Sequence, residues 1–171
     1  KNEIQQLAQA YSPKVREFRR HLHQHPELSF QEINTSTYIQ QFLTDLDIPF
    51  QIMADTGVVA MLQGNIPSDR VLALRADIDA LPITEVEGRE YGSQNPGVMH
   101  ACGHDVHTSS LMGVIMILND IKDHFAGTIK FIFQPGEERL PGGASLMIKE
   151  GVLQNPTPDA IIGQHVMPLI E

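Results

Sequence analysis

Three short apolar runs, VLAL at 71–74, TIKFIFQ at 128–134 and AIIGQ at 160–164, are each followed at once by residues that bind metals or move protons. Continuous apolar runs suit strands covered by helices on both faces, so the fold class is α/β. In such sheets the ligand site lies beyond the carboxyl ends of the strands. There the chain offers Arg75, Asp77 and Asp79, then Glu137 and Glu138, then His165. Between them MHACGHDVHT supplies His100, Cys102, His104, Asp105 and His107 just before a helical pattern begins. Cys, His, Asp and Glu converging from three strand ends and one helix start are the donor types of a zinc-like site.

The remaining elements follow from periodicity. Ile4, Leu7, Ala8, Tyr11, Val15, Phe18 and Leu22 predict an amphipathic helix, interrupted near Pro13 and stopped by Pro26. A second helix runs from Ile33 to Leu46, and strands are expected at 50–53, 58–62, 71–74, 128–133 and 160–163. A third helix starts near His104 with Leu111, Ile115 and Leu118 buried, and a short one covers 144–149. No internal repeat or low-complexity tract interrupts the 171 residues, which amount to one domain's worth of chain.

Composition excludes several classes. A net charge of −9 without a Lys/Arg block argues against nucleic acid, which requires clustered cations. No apolar run approaches the roughly 20 residues of a membrane span, and KNEIQQLAQAYSPKVREFRR is too polar for a signal peptide. A single cysteine forms no internal disulfide. A cytoplasmic location is therefore the expectation, although the chain begins at Lys1 rather than Met and a preceding segment stays open.

Each candidate has a plainer reading. Cys102 alone would be a small buried hydrophobe, but Cys-x-His beside glycine favours a ligand. Glu137 and Glu138 form either a solvated charge run or a pair in which one binds metal and its neighbour handles protons. Asp77 and Asp79 share one face of a continuing strand, or else serve a turn before Pro82. His21, His23 and His25 diverge around a helix and are read as structural. The Asn34-Thr35-Ser36 acceptor pattern has no meaning without a secretory leader. Two rival classes remain: a cysteine hydrolase with Cys102 as nucleophile and His104 or His107 as base, and a non-catalytic metal-binding or interaction module.

RRHLHQHPELSFQE, LRADIDALPI, MHACGHDVHT, FQPGEE and GGASLMI, in this order, resemble the N-acyl-amino-acid amidohydrolases, relatives of aminoacylase and the dinuclear zinc carboxypeptidases. The resemblance covers nearly the whole chain. It implies an α/β/α sandwich catalytic domain of the zinc-exopeptidase type, of which residues 1–171 are the N-terminal part, ending before an inserted lid domain. It implies two divalent ions per full-length chain, zinc first and nickel, cobalt or manganese next. Cys102 would bridge them, His104 and His165 would complete one shell, and Glu138 would bind the other ion, whose last histidine lies beyond this chain. Glu137 matches the general base and Asp79 the carboxylate behind the ligands. Asp77 stands where the related peptidases have a metal-binding histidine and is excluded from the ligands. The implied partner is a small N-acyl amino acid or short peptide, and a homodimer through the lid is left open. Without the returning strands the isolated segment is expected to be poorly soluble.

Overall fold

The computed structural model describes residues 2–167. Its elements in chain order are α1 (Asn2–Gln24), α2 (Ile33–Asp45), β1 (Phe50–Met53), β2 (Gly57–Gln63), β3 (Ile66–Asp77), α3 (His104–Asp120), β4 (Ala126–Gln134), α4 (Gly143–Lys149) and β5 (Ala160–Gly163). The five strands form one sheet in the order β1-β2-β4-β3-β5. β3 runs parallel to both β4 and β5, whereas β2 is antiparallel to β1 and β4. The sheet is thus mixed, and its parallel half carries the strand ends on which the polar residues collect.

Alternation along the strands sorts side chains onto two faces. Val58, Ala60 and Leu62 of β2 and Phe131 and Phe133 of β4 pack with Phe18 of α1, Ile39 and Leu43 of α2, and Leu111, Met112 and Ile115 of α3. Val59, Ala73 and Ile132 point the other way, against Met147 of α4 and Val152. Helices therefore lie on both sides, as the α/β/α expectation requires. On the thinner side Lys130 of β4 is only 2% exposed. Its Nζ donates to the carbonyls of Val152 (2.9 Å), Gln154 (2.8 Å) and Pro156 (2.8 Å), so three main-chain oxygens take the place of water around a buried ammonium.

Two expectations need correction. Helix α1 passes through Pro13 without a break. Pro13 and Gln9 are exposed, so the carbonyl that loses its helical donor lies on the solvent side of the helix, where its loss costs little. The run AIIG does form β5, paired with Leu72–Arg75 of β3, but all four of its residues are exposed among the described residues. Its apolar character matches the continuous-strand pattern while helices cover neither face. No helix among the described residues is long and apolar enough to cross a membrane.

Candidate metal centre

Each contributing segment is held by its own local device. β3 runs on to Asp77, and the chain then passes Asp79 before looping back to α3. α3 opens at His104 behind Gly103, which adopts φ +86°. A Cβ at Gly103 would lie 2.4 Å from Val166 Cγ2, so glycine both permits this backbone and lets the Cys102 turn approach the segment after β5. At the end of β4, Gly136 adopts φ +54°, and a Cβ there would strike the Phe30 ring at 2.3 Å. Buried Glu32 holds this turn, accepting the Gly136 N–H (2.8 Å) and the Thr56 hydroxyl (2.8 Å). The next two residues are Glu137 and Glu138.

These devices bring together Asp79, Cys102, His104, Glu137, Glu138 and His165. One ligand atom each from Cys102, His104 and His165 lie within 4.8 Å of one another, and so do those of His104, Glu137 and Glu138. His104 belongs to both groups and is 1% exposed, whereas the Glu137 side chain is 41% exposed. His104 Nε2 stands 3.9 Å from Glu137 and 3.7 Å from Glu138. On its other side Nδ1 is 3.3 Å from Asp79 Oδ1, yet neither atom completes a hydrogen bond. Cys102 Sγ and His165 Nε2 are 3.4 Å apart, and His165 Nδ1 donates to the Val166 carbonyl at 2.7 Å, which leaves Nε2 as the free donor atom.

Asp79 ties the two groups together from behind. Its Oδ2 accepts the Ser29 hydroxyl (2.7 Å) and the Glu138 N–H (3.0 Å), while Oδ1 faces His104. Burial alone would raise its pKa, but the His104 ring, the Glu138 N–H, Ser29 and the Glu137 N–H together hold it at about 2. Burial also opposes a charge on His104, and the carboxylates of Asp79, Asp77 and Glu138 outweigh it to raise that pKa. The Cys102 thiol is pushed up to about 11 by burial and by Glu138, Glu137 and Asp77. A buried imidazole with both nitrogens unpartnered, a carboxylate oxygen without a donor and a thiol among carboxylates all gain from a cation in their midst. The donor set fits a divalent metal ion of the zinc type.

Asp77, His104 and His107 make a third group within 4.8 Å, buried throughout. Asp77 is already engaged: Arg75 Nη1 donates to Oδ2 at 2.7 Å and His107 Nδ1 lies 2.6 Å from Oδ1. His100, drawn from the same run, is 5% exposed with both ring nitrogens unpartnered, and burial lowers its pKa to about 4. The His21, His23, His25 triplet divides as expected of divergent positions. His25, just past the end of α1, lies against the His21 ring, which stacks on Tyr38, while His23 alone of the three is buried. Asn34 is exposed, its amide donating to Glu27 at 2.8 Å. Ser29, Glu32 and the bond from Val166 to His107 were not singled out in the sequence. The first two lie inside the HPELSFQE motif, but a lone Ser or Glu there signals no role until the fold brings it to the site.

A model of peptidase family M20/M25/M40 matches residues 73–171, a span that contains Asp79, Cys102, His104, Glu137, Glu138 and His165. The N-acyl-L-amino acid amidohydrolase of Geobacillus stearothermophilus is 44% identical over the full chain and a probable hydrolase of Synechocystis is 43% identical over 98% of it. The chain spans 46% and 42% of the length of these two relatives. Among solved structures, a putative aminohydrolase from methicillin-resistant Staphylococcus aureus superposes with a TM-score of 0.90 at 44% identity. The match covers 96% of this chain and 43% of that one. A dinuclear metal-binding peptidase of the M20 family from Bacillus subtilis gives 0.86 at 42% identity, covering 94% and 44% respectively. Sequence, fold and the placement of the Cys/His/Glu cluster inside the matched segment agree, and the chain belongs to peptidase family M20/M25/M40.

Proposed function

We propose that this chain is the N-terminal share of the catalytic domain of a metal-dependent amidohydrolase that cleaves the amide bond of N-acyl amino acids or short peptides. The observation that carries the reading is the sharing of buried His104 between two donor groups, one with Cys102 and His165 and one with Glu137 and Glu138. Cys102, His104, His165 and Glu138 would hold the metal, with zinc the first expectation. Bound there, divalent ions supply Lewis-acid polarisation of an amide carbonyl and bring the pKa of a water towards neutrality. Asp79 Oδ1 faces His104 Nδ1 at 3.3 Å, a negative charge behind the ring, and its Oδ2 fixes the main chain of the glutamate pair through the Glu138 N–H. Glu137, at the solvent-facing rim, takes the proton of the attacking water and delivers it to the departing amine, which otherwise leaves poorly. N-acyl amino acids are favoured as substrates because the Geobacillus relative is named for them at 44% identity. The lid and a last histidine ligand would come from outside these residues.

A cysteine hydrolase is the less favoured reading, because burial and the carboxylates of Glu138, Glu137 and Asp77 oppose a Cys102 thiolate that has no cation beside it. One experiment separates the two. The purified protein is assayed for amine release from N-acetyl and N-benzoyl amino acids before and after chelation, and after adding back zinc, cobalt, manganese or nickel. Activity lost on chelation and restored by metal is expected. Activity that survives chelation but stops on thiol alkylation would sink the metal reading.

A further inference from the structure

His107 is fully buried, one helical turn beyond His104, and both its ring nitrogens are occupied. The Val166 main-chain N–H donates to Nε2 at 2.9 Å. A ring that accepts at Nε2 carries its proton on Nδ1, which donates to Asp77 Oδ1 at 2.6 Å. Asp77 is fixed in turn by Arg75 Nη1 (2.7 Å), and Arg75 Nε donates to Gln134 Oε1 (2.8 Å). The Thr108 hydroxyl donates to the Asp77 carbonyl at 2.7 Å. One line of hydrogen bonds thus runs from the end of β4 through β3 and α3 to the segment that follows β5.

That segment has little else to hold it. β5 is exposed along its length, and Gln164 and His165 are exposed too. Beyond the β3–β5 pairing, which ends at Gly163, Val166 N–H is, among the described residues, the one main-chain donor of 165–167 that bonds to the body of the protein. It lies one peptide from His165, whose Nε2 faces Cys102 Sγ at 3.4 Å. Packing of Val166 on Gly103 limits the same segment from the opposite side.

We propose that His107 is a positioning residue for the metal centre, holding the Val166 N–H so that His165 presents Nε2 beside Cys102. The proposal rests on the reading of His165 as a ligand. It also assigns Asp77 a task, orienting His107, and removes His107 from the ligands although its atoms lie within 4.8 Å of those of His104 and Asp77. Groups that orient a ligand in this way typically change metal affinity about 10- to 100-fold when removed.

The test adds cobalt(II) to the metal-stripped protein and to His107→Gln and His107→Leu, following the cobalt–thiolate absorption of Cys102. Glutamine offers an oxygen to Val166 and an N–H to Asp77, and leucine offers neither. His107→Gln is expected to titrate like the parent. His107→Leu is expected to need about 10- to 100-fold more cobalt while reaching the same band at saturation, because the ligands are unchanged. A His107→Leu titration that overlays the parent overturns the proposal. So does a His107→Gln variant whose saturated band is shifted, since His107 would then be a ligand itself. A parent protein with no thiolate band fails one step earlier, removing the metal reading of Cys102 together with the proposal. Should His107→Leu not fold, ring ¹⁵N shifts of the metal-free parent decide: an Nδ1–H tautomer of His107 upholds the assignment and an Nε2–H tautomer overturns it.

Discussion

His23 and His104 are both buried imidazoles set among carboxylates, 2% and 1% exposed, yet they are finished differently. His23 Nδ1 meets Asp105 Oδ2 at 2.8 Å and Nε2 meets Glu85 Oε1 at 2.9 Å, while Arg19 Nε donates to the same Asp105 oxygen at 3.0 Å. Both nitrogens are spent on tying α1, the loop before α3 and the first turn of α3 into one clamp. His104, adjacent to Asp105 on α3, has two carboxylates on each side within 3.9 Å and completes a hydrogen bond with none of them. An imidazole whose nitrogens are both used holds a fold together. One left with open nitrogens at a strand-end cleft is kept for something the chain does not itself contain. The contrast predicts that changes on the His104 side cost chemistry and changes on the His23 side cost stability.

The largest expected effect is on the open side. Glu137→Gln should lower amide hydrolysis by about 10²- to 10⁴-fold while leaving metal content and unfolding midpoint in place, as steady-state kinetics and elemental analysis would reveal. An equal loss of metal would mean that Glu137 is a ligand rather than the proton carrier. On the closed side, His23→Leu strands Glu85 and Asp105 as buried carboxylates with less cation, and should cost about 3–5 kcal/mol in urea unfolding. Metal uptake by the folded fraction should survive. If His23→Leu instead abolishes metal binding at full stability, the division between the two regions is wrong.

A smaller change probes the boundary between them. Ser29→Ala removes a hydrogen bond to the Asp79 carboxylate and should cost about 1.5–3 kcal/mol, read from the same unfolding curves. The mildest probe is pH. The hydrogen bond to Asp105 raises the His23 pKa against burial, with Glu85 helping, from an ordinary value of 6.5. A raised folded-state value means that this contribution is complete below pH 6.5 and fades as pH climbs through the folded-state pKa. The midpoint of the parent should therefore fall relative to that of His23→Gln on the alkaline side. A parallel pair of profiles would show that the clamp does not depend on the charge of His23.

Much of this was legible in the sequence because strand ends and metal donors both leave local marks. Cys102, His104, Glu137, Glu138 and His165 each follow an apolar run or precede a helix, and β1 and β5 fall where their residues predict. What stayed hidden depends on distance along the chain. Nothing local links Ser29 to Asp79, Glu32 to Gly136, or His107 to Val166, because those bonds form between segments 50, 104 and 59 residues apart. The continuity of α1 through Pro13 was hidden for another reason: whether a lost helical bond matters depends on solvent exposure, which periodicity does not report. Nor does an apolar run say what covers it, and β5 lies bare where AIIG suggests a buried strand.

The Lys130 cradle has a practical use. An ammonium held by three carbonyls is a cation tethered to its own chain, so no chelator can withdraw it. It is equally shielded from amine-acylating reagents as long as the residues from 152 to 156 stay closed around it. Labelling of Lys130, followed peptide by peptide in a mass spectrometer, would serve as a built-in clock for the opening of that loop and for its independence from the candidate metal centre.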